Sequence, residues 1–81
     1  MTRDELLATM STWIAEITEG EAPVLTPETH LVHELGLDSL ALAELAGKLR
    51  VRMKVKLKPG EIRNDLRAGA VADVVLSRLP A

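Results

Sequence analysis

The sequence predicts an all-α protein: a small four-helix bundle of three longer helices and one short helix, with a long loop between helices 1 and 2. Three observations lead there. Apolar residues make up 47% of the 81 residues but aromatic residues only 1%, a single Trp with no Phe or Tyr. The core is therefore aliphatic, which suits packed helices better than a sandwich or barrel, where aromatic and β-branched residues are enriched. Apolar residues recur three and four apart in three stretches, which is the helical period. Pro, and every Gly except Gly47, fall outside those stretches. The length allows one domain, spanning 1–81. A chain this short buries only about 60% of the surface its unfolded state exposes.

The first helix is read from Leu6, Met10, Trp13 and Ile17, with Leu7 and Ile14 alongside. Thr2 is its expected N-cap, Asp4 and Glu5 suit the positive end of its dipole, and Gly20 is expected to end it. Residues 19–37 read as a long connection broken by Pro23, Pro27 and Gly36. Val24, Leu25, Leu31, Val32, Leu35 and Leu37 are too many apolar residues for a solvated loop. The loop is expected to lie pinned on the core, with a helical turn at 27–30.

Asp38 is a good N-cap for the second helix, which Leu42, Leu45, Ala46, Leu49 and Met53 define. Gly47 costs about 1 kcal/mol against Ala inside it and so asks for a packing or contact reason. Val51, Met53, Val55 and Leu57 then alternate with Arg52, Lys54, Lys56 and Lys58, a strand pattern. A lone strand leaves its backbone unsatisfied. The expectation is helix to about Arg52, then an extended segment to Lys58 that buries Val55 and Leu57. Pro59 and Gly60 break the chain, Glu61 to Leu66 form one short helical turn, and Gly69 breaks it again. Val71, Val74, Val75 and Leu79 mark a last helix over about 70–79, stopped by Pro80.

The absence of Cys excludes disulfides, thiolate metal sites and a cysteine nucleophile. With only His30 and His33 beside the carboxylates, no metal site is expected. No apolar run approaches 18 residues and no basic segment leads into an apolar one, so neither a membrane span nor a secretory signal is expected. The expectation is a cytoplasmic monomer. The net charge of −2 hides a split: residues 1–44 carry nine acids and Arg3, while residues 45–81 carry nine bases and three acids. The halves are thus −8 and +6, and six of the bases lie between Lys48 and Lys58. Such asymmetry bears on partners rather than on fold. Nucleic acid is not the expected partner, because no aromatic residues interleave with the bases and the run leaves the helix for an extended segment. A helical interaction module using the 48–58 stretch is the remote alternative.

The most informative segment is Leu35-Gly36-Leu37-Asp38-Ser39-Leu40. It puts a hydroxyl at a helix N-terminus, where unpaired N–H groups and the dipole accommodate a phosphate. A hydrolase is not expected: the G-x-S-x-G elbow is absent, and a triad would need His33 to reach both Ser39 and an orienting acid. On the residues alone two readings stand, a plain Asp-Ser helix cap and a phosphoester site.

The stretch from Leu25 to Leu49, LTPETHLVHELGLDSLALAELAGKL, resembles the carrier-protein family: acyl carrier proteins and the carrier domains of polyketide and nonribosomal peptide synthesis. The six residues Leu35–Leu40 carry the likeness. Thr26-Pro27-Glu28-Thr29 precedes them, Glu44-Leu45 follows, and Ala70 to Val75 is similar to the start of the family's last helix, so the resemblance covers about 10–79. It implies a single carrier protein domain that is not an enzyme. Ser39 would be the attachment residue for 4′-phosphopantetheine, donated from coenzyme A by a phosphopantetheinyl transferase, with Asp38 assisting near the transferase's magnesium ion. The arm would supply the thiol that this Cys-free chain lacks and hold an acyl group as a thioester. The implied partners are that transferase, an acyltransferase or adenylating loading enzyme, and a ketosynthase or other pathway enzymes. They would meet Leu40, Ala43, Glu44, Gly47 and Lys48 on the second helix.

The chain departs from the family pattern in charge. Fatty-acid-type relatives are acidic along this helix, whereas Lys48, Arg50, Arg52, Lys54, Lys56 and Lys58 stand here. A polyketide or mixed polyketide–peptide pathway is therefore expected, with partners that present neutral or acidic surfaces. The Gly-Leu-Asp-Ser-Leu form leans to acyl cargo, and a free-standing aminoacyl or peptidyl carrier is the alternative. His33 stands where the family usually has an acid, and His30 has no role in the resemblance. Trp13 is expected in the core. Ala70 stands where the family often has a Thr cap, so that cap is expected to be weak.

Overall fold

The computed structural model describes residues 1–58 and 60–79; the breaks expected at Pro59 and Pro80 lie outside the described residues. Helix α1 spans Arg3–Thr18, α2 Ser39–Met53 and α3 Ala68–Arg78, with a 3₁₀ turn at Glu61–Asn64. The fold of the described residues is all-helical. In place of a short fourth α-helix it has only that turn, which starts at Gly60 without a side-chain cap and runs into extended Asp65. Four residues without caps close i→i+3 bonds and go no further.

Thr2 caps α1 as the sequence predicts. Its hydroxyl accepts the Glu5 N–H at 3.2 Å, and the Glu5 carboxylate accepts the Thr2 N–H at 2.9 Å. That backbone bond, followed by the hydroxyl, holds the Glu5 carboxyl below its ordinary pKa. The helix ends one residue before Gly20, on Glu19 in the left-handed region at φ 56. α1 is the central element and packs against both α2 and α3. Leu6, Met10, Leu31, Leu45, Leu49, Val71 and Val75 are the fully buried large side chains, drawn from the three helices and the long loop. Trp13 is buried, as expected, and Arg52 lies over its ring at 5.7 Å.

The long loop is pinned, but by more than its apolar residues. Leu31 and Leu37 are buried and Leu25, Val32 and Leu35 pack on the core, while Val24 stays 88% exposed. The loop also bonds to the start of α3. Leu31 N–H donates to the Leu66 carbonyl at 2.9 Å, Ala68 N–H to Thr29 at 2.8 Å and Gly69 N–H to Pro27 at 2.9 Å. The turn expected at 27–30 is a hydrogen-bonded turn of residues 26–29, closed by Thr29 N–H on the Thr26 carbonyl, and the helical turn falls at 31–35. Gly69 does not break the chain: it lies buried in the first turn of α3, which begins at Ala68. A Cβ there would meet Pro27 Cα and Cβ at 2.8 Å and the Arg3 guanidinium. Glycine is needed for the close approach of the loop backbone, not for a turn. The weak cap expected at Ala70 falls on Arg67, the N-cap of α3, which makes no side-chain cap bond. The loop carbonyls satisfy the helix's first N–H groups instead.

α2 runs one residue past Arg52 and ends at Lys54, left-handed at φ 55. The segment that follows is extended as predicted, with Val55 and Leu57 buried and Lys56 and Lys58 in water. None of the described helices is long and apolar enough to cross a membrane.

Candidate functional site

Residues 31–35 form one turn of helix, which ends on Gly36. Gly36 N–H donates to the Val32 carbonyl at 2.8 Å, and Leu37 N–H reaches back to Leu31 at 3.1 Å. The bond from Gly36 is the αL closure of a helix end, and it needs a left-handed residue at Gly36, whose φ is 72. Nothing lies within 4 Å of a Cβ built there, so backbone conformation rather than space demands the glycine. Leu31 and Leu37, the two ends of the second bond, are both buried. The Leu-Gly-Leu triplet is thus a helix stop anchored in the core.

The next residue starts α2. Asp38 is extended at φ −90 and ψ −178, and its carboxylate accepts the Ala41 N–H at 2.8 Å while its carbonyl accepts Leu42 N–H at 2.9 Å. Ser39 follows as the first helical residue and is exposed. The N–H groups of Ser39 and Leu40 precede the first intrahelical bond and point out of the helix end. A helix stop and a helix start therefore meet within four residues and present one hydroxyl at the positive end of α2.

The predicted contact residues sit on two flanks of α2. Leu40, 68% exposed, and Glu44 line an open groove of about 230 Å³ with Ile17, Thr18, Gly36, Leu37, Asp38 and Ala41. Ala43 and Gly47 line a second groove of about 310 Å³, closed by Leu57, Ile62, Arg50 and Arg63. A Cβ at Gly47 would have nothing within 4 Å, so no packing inside the chain explains that glycine. Lys48 turns to α1 and pairs with Glu16 at 3.1 Å. Sequence reasoning missed Ile17 and Thr18 on one flank and Leu57, Ile62 and Arg63 on the other, because they come from elements joined only by tertiary packing. His33 is exposed, and its ring lies 4.1 Å from that of His30.

An exposed hydroxyl thus stands at the start of α2, with the N–H groups of Ser39 and Leu40 beside it and an open groove along one flank. Comparisons with known proteins show the family. The family model described as phosphopantetheine attachment site matches residues 8–75. Over 81 residues, all of both chains, the sequence is 35% identical to acyl carrier protein 2 of Ralstonia nicotianae. It is 36% identical over 75 residues to the meromycolate extension acyl carrier protein of Mycobacterium leprae, covering 93% of this chain and 63% of that one. The protein of the same name from Mycolicibacterium smegmatis is 36% identical over 74 residues, 91% of this chain and 72% of its own. The chain belongs to the phosphopantetheine-binding acyl carrier proteins. Members of this family carry covalently attached 4′-phosphopantetheine and are carriers, not catalysts; they work with a phosphopantetheinyl transferase and with biosynthetic enzymes. The residues at the start of α2 fit that group: a solvent-facing hydroxyl to esterify, N–H donors for its phosphate, and a carboxylate already engaged in capping.

Proposed function

We propose that residues 1–81 act as one carrier domain with Ser39 as the attachment residue, serving a polyketide or mixed polyketide–peptide pathway. The observation that carries the site is the exposed Ser39 hydroxyl at the first residue of α2, between the Gly36 stop and the Asp38 cap. When bound, the arm supplies a terminal thiol that holds acyl cargo as a thioester. The chain's own part is to hold the Ser39 Oγ in water, to offer N–H groups to the phosphate, and to keep Asp38 beside the serine for the transferase. Leu40 and Glu44 on one flank, and Ala43 and Gly47 on the other, are the residues a partner meets first, with Lys48 at the edge. The loading enzyme is an acyltransferase or adenylating enzyme, and a ketosynthase or similar enzyme takes the cargo on. Tethering keeps cargo at high effective concentration, so each contact can be weak. The protein is a cytoplasmic monomer in this reading.

The pathway assignment rests on charge. Of the ten Lys and Arg residues, Arg3, Lys48, Arg67 and Arg78 pair with Asp73, Glu16, Asp65 and Glu61. Arg50, Arg52, Lys54, Lys56, Lys58 and Arg63 pair with no carboxylate among the described residues. The bases facing the second groove are thus left for a partner, and they repel a basic one. The second reading, acyl extension of the kind in the mycobacterial relatives' name, is favoured by the 36% identity to those proteins.

Intact mass after incubation with coenzyme A and a promiscuous phosphopantetheinyl transferase tests the site. One arm's mass is expected, and none on Ser39→Ala. Addition that survives that substitution overturns the assignment. Loading rates across a salt series test the charge reading, which fails if salt leaves them unchanged.

A further inference from the structure

We propose that His30 is a positioning residue for the Ser39 helix start, and that it acts only while its imidazole is neutral. His30 caps the turn 31–35. Its Nδ1 accepts the backbone N–H of Val32 at 3.2 Å and of His33 at 3.0 Å, the work a Ser or Asp oxygen does at an ordinary helix start. In return the Glu34 carboxylate accepts the His30 N–H at 3.2 Å. The exchange is reciprocal, as in a capping box. His30 also supplies the carbonyl that Glu34 N–H reaches at 3.0 Å. The same turn closes on Gly36 and Leu37 and runs directly into Asp38 and Ser39. The cap and the serine are therefore the two ends of one hydrogen-bonded unit.

An Nδ1 that accepts two N–H groups needs its lone pair, so the ring is neutral with its proton on Nε2. Protonation places a third N–H against the other two and abolishes the cap. A Ser in this position would keep both bonds whatever the pH; histidine makes them conditional. The ring is half-buried, so water reaches it. The groups that face it are few. Glu34 holds its backbone N–H, and the His33 ring is tilted 42° against it. Across the loop–α3 bridge stands Arg67, bound to Asp65. Glu28 acts on Arg67 from the loop side.

The link to modification rests on the attachment reading at Ser39; the cap itself does not. The test uses the full apo chain, native and as His30→Ser and His33→Ser. Amide protection factors are measured at about pH 8 and about pH 5.5. In the native chain Val32 and His33 are expected to lose about fivefold in protection at the lower pH, the loss of one cap, while α1 amides hold. His33→Ser behaves as native at Val32, and His30→Ser shows no such loss. With coenzyme A and a promiscuous transferase, the native rate relative to His30→Ser is expected to fall several-fold over the same range. Equal protection at both pH values, or the same loss in His30→Ser, overturns the cap. A constant rate ratio with lost protection overturns the positioning role. If neither protein gains mass at Ser39 even at about pH 8, the attachment reading fails, and the amides still decide the cap.

Discussion

Two connections in this protein differ in how much backbone hydrogen bonding holds them. Besides its buried Leu31 and Leu37, the loop 19–37 is fastened by backbone hydrogen bonds: to itself through Thr26–Thr29 and His30–Leu37, and to the start of α3 through Pro27, Thr29 and Leu31. Residues 54–58 and 60–63 are fastened mainly by apolar side chains, Val55, Leu57 and Ile62, with Arg78 donating to the Lys56 carbonyl and pairing with Glu61. Hydrogen bonds are directional, so the first connection delivers one backbone geometry to Asp38 and Ser39. Apolar burial is not directional, so the second leaves its bases free to meet a partner. The difference assigns them work: one presents the attachment residue, the other shapes the surface beside it.

The comparison breaks most visibly at its anchors. Leu31→Ala is expected to cost about 3 kcal/mol in urea unfolding and to slow arm transfer to Ser39. Leu57→Ala is expected to cost about 2 kcal/mol and to slow that transfer less than Leu31→Ala does. Equal effects on transfer would erase the distinction. Gly69→Ala follows, at about 2 kcal/mol, because Pro27 Cα is backbone and its Cβ is fixed in the ring, so neither can swing aside. Gly47→Ala, with open space at its Cβ, is expected to stabilise by about 0.5 to 1 kcal/mol and so serves as the control in the same melts.

An effect of the same size sits at the first residues of both connections, where Glu19 and Lys54 take left-handed φ values of 56 and 55. Glycine there is expected to raise stability by about 0.5 to 1 kcal/mol, as seen by the shift in unfolding midpoint. The two gains should match, since the backbone cost is the same. The smallest effect is at Asp65. Its carboxyl is held at about 2, down from 3.8, first by the side-chain bonds from Arg67 and then by the Arg67 N–H. A depressed carboxyl stabilises the fold above its unfolded value and ceases to do so as pH falls from about 4 toward about 2. Both groups are exposed, so Arg67→Gln is expected to flatten only slightly the acid limb of the stability profile.

Much of this was legible in the residues. The stripe Leu6, Met10, Trp13 and Ile17, the Thr2 and Asp38 caps, and the burial of Val55 and Leu57 are local consequences of period and hydrogen-bonding type, and each was found where expected. So was the six-residue likeness around Ser39, which the match over 8–75 bears out at the level of family. Gly69 was misread because glycine within a sequence looks like a break, and only the packed loop shows that it marks a close approach. His30 was silent because its side chain caps a turn that the sequence put at 27–30.

The sequence by itself determined the helices, their caps, the aliphatic core and the family, because those follow from residues near one another in the chain. Tertiary structure alone decided which carbonyls cap α3, which bases stay unpaired, and how the loop carries Ser39 to its place. Those depend on groups far apart in sequence, whose meeting is set by packing and not by any local preference.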